Sequence, residues 1–133
     1  MLDHITISVQ DYEKSKAFYT LALQPLGYRL LIEVEGYAGF GETTDFKGFG
    51  SAENEGPIAT FWLYQGKNPT SHTHIAFRAK KRNNVDDFHT QALSAGGIDN
   101  GAPGLRAHYH PNYYGAFVLD PDGNNIETVC HER

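Results

Sequence analysis

Slid along itself by 70 positions (74 minus 4), the sequence matches itself without a gap. His4 meets His74 and Ile5 meets Ile75. Phe18, Thr20, Ala22, Leu23 and Gly27 meet Phe88, Thr90, Ala92, Leu93 and Gly97. These are seven identities in the 25 positions from His4 to Tyr28, where average residue usage yields about one or two by chance. A chain of 133 residues carrying such a repeat is expected to fold as one domain built from two similar halves. Their bounds fall near 1–66 and 72–133. Any two amphipathic units look alike in patterning, but the coinciding histidines are not needed for packing.

Each half reads as strand, helix, then three strands. Leu2 to Val9 alternates, with Ile5, Ile7 and Val9 on one face and His4, Thr6 and Ser8 on the other. Asp11 is a candidate helix N-cap, with Glu13 in the first turn. Ala17, Phe18, Leu21 and Ala22 follow at helical spacing, and Pro25 and Gly27 end the helix. Strands are expected over Tyr28–Glu35, at the end of Gly36–Phe40, and over Ile58–Tyr64, with a loop from Glu42 to Gly56. The second half restarts with a strand at His74–Ala79 and a helix from Asn83 to Ala95 that Gly96 and Gly97 terminate. A strand near Ile98, a loop from Pro103 to Pro111 and a closing hairpin follow.

That hairpin turns on Asp120-Pro121-Asp122-Gly123-Asn124. Pro121 presets φ and Gly123 supplies the positive φ that closes the turn. Ile126 then belongs under a helix, which sends Glu127 to the opposite, open face. In a βαβββ unit the helix covers one face of the sheet, so His4 and His74 also point to open faces. Pairing the two sheets would bring His4, His74 and Glu127 to one curved surface. Two imidazoles and a carboxylate suit non-haem iron(II), or catalytic zinc with water as a further ligand.

Composition narrows the partners. The formal net charge of -5 offers no basic stripe for phosphates, so nucleic acid is not expected. No apolar run approaches the roughly 20 residues of a membrane span, and Met1-Leu2-Asp3-His4 opens into a strand without a basic leader. Cys130 is the single cysteine, which excludes an internal disulfide and fits a reducing cytoplasm.

The whole chain resembles the vicinal oxygen chelate superfamily, which includes glyoxalase I, extradiol dioxygenases, fosfomycin-resistance enzymes and bleomycin-resistance proteins. The matching residues are Leu2-Asp3-His4-Ile5, Leu26-Gly27-Tyr28, Thr73-His74-Ile75-Ala76-Phe77, and Asp120-Pro121-Asp122-Gly123-Asn124 with Glu127. The resemblance implies an α+β fold of two βαβββ modules pairing into a curved, partly open mixed sheet with helices outside. It implies His4, His74 and Glu127 as ligands of a divalent metal (iron, zinc, manganese or nickel) and a homodimeric assembly. Glyoxalase I enzymes carry a fourth ligand, usually Glu, on the last strand of the first half. Here that stretch reads Ala59-Thr60-Phe61-Trp62-Leu63-Tyr64, without carboxylate or imidazole. The three-ligand pattern looks more like the dioxygenase and fosfomycin-type members.

The expected activity is Lewis-acid catalysis on a small substrate that chelates the metal through neighbouring oxygens. His108 and His110, in the aromatic stretch Arg106 to Tyr114, are candidate proton carriers, since imidazole titrates near neutrality. Trp62, Tyr64, Arg78 and Tyr113 are candidate substrate contacts. His72, which shares the parity of His74, is an alternative ligand but is assigned rather to a strand edge, His89 to a solvated helix face, and His131 receives no role. The rival expectation is a metal-free module that sequesters a flat, cationic guest against Phe61, Trp62 and Tyr64.

Overall fold

Alternation sets the first strand, β1 (Ile5–Val9), which buries Ile7 and Val9 and turns Thr6 and Ser8 away. In this computed structural model residues 1–43 and 57–133 are described; most of the loop expected from Glu42 to Gly56 lies outside them. Helix α1 (Tyr12–Ala22) begins at Asp11, whose carboxylate accepts the Lys14 N–H at 3.0 Å. A cap of this kind satisfies one of the helix's orphan donors. Asp11→Ala is therefore expected to cost about 1 kcal/mol, read as a lower urea midpoint; an unchanged midpoint would show that the cap contributes nothing.

A short 3₁₀ turn at Gln24–Leu26 carries Pro25 at its start, and Gly27 ends it in the left-handed conformation at φ 83°. A side chain at Gly27 would be strained there. Strands β2 (Tyr28–Val34), β3 (Tyr37–Glu42) and β4 (Phe61–Gln65) complete the first half. The second half repeats the plan. It comprises β5 (His74–Arg78), α2 (Arg82–Ser94), β6 (Ile98–Leu105), β7 (Tyr114–Leu119) and β8 (Asn125–Cys130).

The two sheets have the same order, β1-β4-β3-β2 and β5-β8-β7-β6. In each the first strand runs parallel to the last, and the other neighbours are antiparallel. These are open mixed sheets, and the architecture is the expected α+β arrangement of βαβββ units. The helix-facing sides of both sheets share one core. Ile7, Val9, Phe40, Phe61 and Leu63 of the first half meet Phe77, Phe88, Val118 and Ile126 of the second. Phe61 and Phe77 pack edge to face across the seam, with centroids 5.3 Å apart. Among the described residues the opposite face of each sheet carries no helix.

Two expectations change. β6 is one strand to Leu105, where a loop was expected from Pro103. It is an edge strand, so Pro103 can lack its N–H on the unpaired side. Register shifts at Asp99/Gly101 and Gly101/Gly104 absorb the glycines as bulges. His89 is not a solvated helix residue: its side chain is 12% exposed and its Nε2 lies 2.9 Å from Asp99 Oδ1. It pins α2 to β6.

Candidate functional site

The open face of the second sheet is defined by register. His74, Asn125, Leu119 and Ile98 form one row; Ala76, Glu127, Phe117 and Gly101 form the next; Arg78, Val129, Gly115 and Gly104 form a third. Glu127 sits on β8, between β5 and β7, with both neighbours, Ile126 and Thr128, buried on the helix side. The tight turn before it holds Gly123 at φ 84°, and this turn fixes which face Glu127 takes.

His74 Nε2 lies 2.8 Å from Glu127 Oε2, with side-chain exposures of 51% and 3%. The pair is thus buried on the carboxylate side and open on the imidazole side. Asn125 Nδ2 lies 2.8 Å from His74 Nδ1. With the amide donating to Nδ1, the ring's proton sits on Nε2, shared with the carboxylate. The Tyr113 hydroxyl donates to the other carboxylate oxygen, Glu127 Oε1. Burial, and then that bond, push the Tyr113 hydroxyl up to about 12, so it stays a donor. Gly115 leaves room for the bond, since a Cβ there would come 3.2 Å from the Tyr113 ring and 3.3 Å from Glu127 Oε1.

The aromatic stretch folds over this end of the sheet. Tyr109 packs on Tyr113 with centroids 5.2 Å apart, and His108 packs on Tyr109 at 4.2 Å. His131 lies 5.3 Å from Tyr113 and 5.8 Å from His110, ring to ring. His110 is therefore joined to the Glu127 environment through His131 and Tyr113, whereas His108 is one ring further out. No role had been read for His131, yet it has the parity of Glu127 and Val129 along β8, and continuing that alternation would have placed it here.

His4 is elsewhere. It precedes β1, with its Nδ1 2.6 Å from Asp3 Oδ1 and a half-exposed ring. It borders a groove of about 710 Å³ whose walls include Tyr28, Phe61, Ala76, Phe77 and Arg78 but neither His74 nor Glu127. Among the described residues no three metal-ligating side chains converge. The reason is the shared core: with both sheets turned helix-side inward, one sheet's open face cannot close over the other's in the same chain.

The first sheet's open face is apolar. Thr6, Trp62, Gly39 and Ile32 form one row; Ser8, Tyr64, Tyr37 and Val34 form another. Trp62 and Tyr64 share this face, as expected, whereas Phe61, expected beside them in the guest-binding wall, alternates to the helix side and is buried in the core. Trp62 lies over Gly39, where a Cβ would come within 2.8 Å of the indole, and Tyr64 packs against Tyr37 at 4.9 Å. Ile32, Val34, Tyr37 and Tyr64 remain exposed. Arg78 is exposed on the second sheet's face, at the β5 edge.

Fold and site together define a class: two βαβββ units in tandem, with imidazole and carboxylate on the open face of the second. The chain belongs to the glyoxalase/bleomycin resistance protein/dioxygenase superfamily, whose sequence model matches residues 1–128. A glyoxalase/bleomycin resistance protein from Albidiferax ferrireducens is 25% identical with a TM-score of 0.74, each chain covered over 96% of its length. The fosfomycin resistance protein of Listeria monocytogenes shares the fold at 17% identity and a TM-score of 0.67, over 98% of this chain and 92% of its own. Glyoxalase I of Zea mays does so at 22% identity and a TM-score of 0.64, over 96% of this chain but 43% of its own. The search among curated proteins finds no match. No helix among the described residues is long and apolar enough to cross a membrane.

Proposed function

We propose that this chain is a metal-dependent enzyme of its superfamily acting on a small, oxygen-bearing substrate, with its site completed by a second copy. The observation that carries this is the His74–Glu127 pair. An imidazole nitrogen and a carboxylate oxygen face each other at 2.8 Å on the sheet face away from the helices. Such a donor set suits iron, zinc, manganese or nickel, and a cation there takes the place of the shared proton. The metal, when bound, supplies Lewis acidity to neighbouring substrate oxygens.

The remaining work falls to protein groups. Tyr113 holds one carboxylate oxygen and so aims the other at His74. His110, reached through His131, is the proton carrier in this reading, and His108 stands behind it. The third ligand, His4, is separated from this pair within the chain. It joins the pair if the first sheet of one copy lies over the second sheet of another. The exposed Ile32, Val34, Tyr37 and Tyr64 on that first sheet are the apolar surface such a homodimer would cover, with Trp62 and Tyr64 then facing the substrate. Iron with oxygen consumption would point to dioxygenase chemistry, and the other metals to isomerisation or addition.

Elemental analysis of the untagged protein tests the metal, with near-stoichiometric content expected. Mixing tests the sharing. His4→Ala and Glu127→Gln chains should each lack metal alone. Unfolded together and refolded, they should recover about a quarter of the wild-type content. Half the dimers are then mixed by random pairing, and each mixed dimer has one intact site of two. No recovery would put all ligands in one chain. If wild-type protein takes up none of iron, zinc, manganese or nickel, the metal reading falls. The aromatic face around Trp62 then favours the sequestering module, tested by thermal stabilisation with flat cationic compounds.

A further inference from the structure

We propose that Arg106 forms an oxyanion subsite on the open face of the second sheet, so that the substrate class is a small anion. Its anionic head would lie about the width of an aromatic ring from its chelating oxygens. The arginine follows β6, and its side chain lies back across the sheet. Its guanidinium carbon is 5.6 Å from the centre of the Phe117 ring, a cation–π distance. Nη2 donates to the Ala102 carbonyl at 2.8 Å. The backbone has been cleared beneath it. A Cβ at Gly104 would come 2.9 Å from Nη1, and one at Gly101 would come 2.8 Å from the Phe117 ring on which the guanidinium lies. Carbonyl and ring therefore hold the fork in one place, and Gly104 leaves it room, rather than letting it sweep through solvent.

What that fork binds is open. A guanidinium has five N–H donors, and among the described residues one is used. No carboxylate among the described residues pairs with Arg106; the ion pairs involve Lys16, Lys80 and three histidines. In a chain of net charge -5, this is a fixed, uncompensated positive group with the planar geometry that matches carboxylate, phosphate or phosphonate. Its position gives the link to chemistry. Phe117 is the register partner of Glu127 on one side and Gly101 on the other. The His74 ring approaches the same Phe117 ring from the β5 side, at 6.2 Å. A ligand lying on Phe117 therefore has His74 and Glu127 at one end and Arg106 at the other. Glu127 repels an anion placed directly on it, which favours the head at the Arg106 end. Calling this anion the substrate rests on the metal-dependent reading; binding of the anion does not.

The test is a titration of isotope-labelled, metal-free protein with inorganic phosphate, followed by amide chemical shifts, with sodium chloride at matched ionic strength as control. Saturable shifts are expected at Gly101, Gly104 and Phe117. Arg106→Gln should raise the Kd at least about tenfold, the loss of one charge-assisted contact. Gly104→Ala keeps the charge but displaces the fork, and should weaken binding in the same direction, so the proposal does not depend on one variant's folding. No saturable shift beyond the chloride control overturns the subsite, as does equal affinity in folded Arg106→Gln. Metal uptake is measured on the same samples. Arg106-dependent phosphate binding without metal uptake removes the metal reading and leaves the subsite. Metal uptake without phosphate binding does the reverse.

Discussion

Asp120→Ala is expected to destabilise the protein by about 3–5 kcal/mol, the range for opening a buried, charged hydrogen-bond network. Asp120 is 4% exposed. Its side chain accepts from the Tyr19 hydroxyl at 2.5 Å, from the Asp122 and Asn124 N–H groups at 2.9 and 2.8 Å, and from the Asn124 amide at 2.9 Å. Alanine strands all four donors. The loss is not local to the turn. Tyr19 belongs to α1, so this carboxylate ties the second half's hairpin to the first half's helix. Asn124 extends the tie by donating to the Thr70 carbonyl and accepting from the Thr73 N–H, which clamps the segment joining the halves. Burial first, and then the charge of Asp120, raise the Tyr19 hydroxyl well above its usual range, so it remains a donor at any working pH. Tyr19→Phe removes one bond of this set and should cost about 1–3 kcal/mol. Urea unfolding with an unchanged slope would read both values. An Asp120→Ala cost under about 1 kcal/mol would mean that the turn is held by its backbone alone.

This turn was legible in the sequence because its signal is local. Pro121, Gly123 and the strand-forming flanks specify a hairpin without reference to anything distant, and the parity of Ile126 and Glu127 follows from it. The first-strand alternation and the Asp11 cap were readable for the same reason. The β6 strand was not. Asn100-Gly101-Ala102-Pro103-Gly104 has the composition of a loop, and only pairing with β7 makes it a strand. The juxtaposition of His74 and Glu127 was also readable, since they lie on adjacent strands of one βαβββ unit. The place of His4 was not, because it depends on which face of each half packs on the other. Both halves have one apolar and one polar face, and periodicity does not say how two such units stack. Tyr113 and His131 illustrate a third case. Their parity with Glu127 was present in the sequence, but the small residue that lets Tyr113 reach the carboxylate, Gly115, acquires meaning only in three dimensions.

Glu127→Gln is expected to lower metal affinity by about a hundredfold or more, beyond the 10- to 100-fold range of residues that only orient a ligand. Folding should remain within about 1 kcal/mol of wild type, as for an isosteric swap that keeps its hydrogen bonds. The amide oxygen still accepts from Tyr113, and the amide N–H can meet the His74 nitrogen once the imidazole tautomer changes and the half-exposed Asn125 amide turns over to accept from Nδ1. Alanine is the poorer test: it leaves the Tyr113 hydroxyl unpaired and opens a void beside Gly115, so metal loss and structural loss arrive together. Tyr113→Phe separates ligand from orienter. It leaves the charge of Glu127 in place and removes only the bond that aims Oε2 at His74, and should cost about tenfold in affinity. Competition against a chromogenic chelator gives the order, wild type above Tyr113→Phe above Glu127→Gln. If Glu127→Gln binds as tightly as wild type, Glu127 is not a ligand. If Tyr113→Phe falls as far as Glu127→Gln, the tyrosine does more than orient, and a ligand role for its oxygen becomes the simpler account.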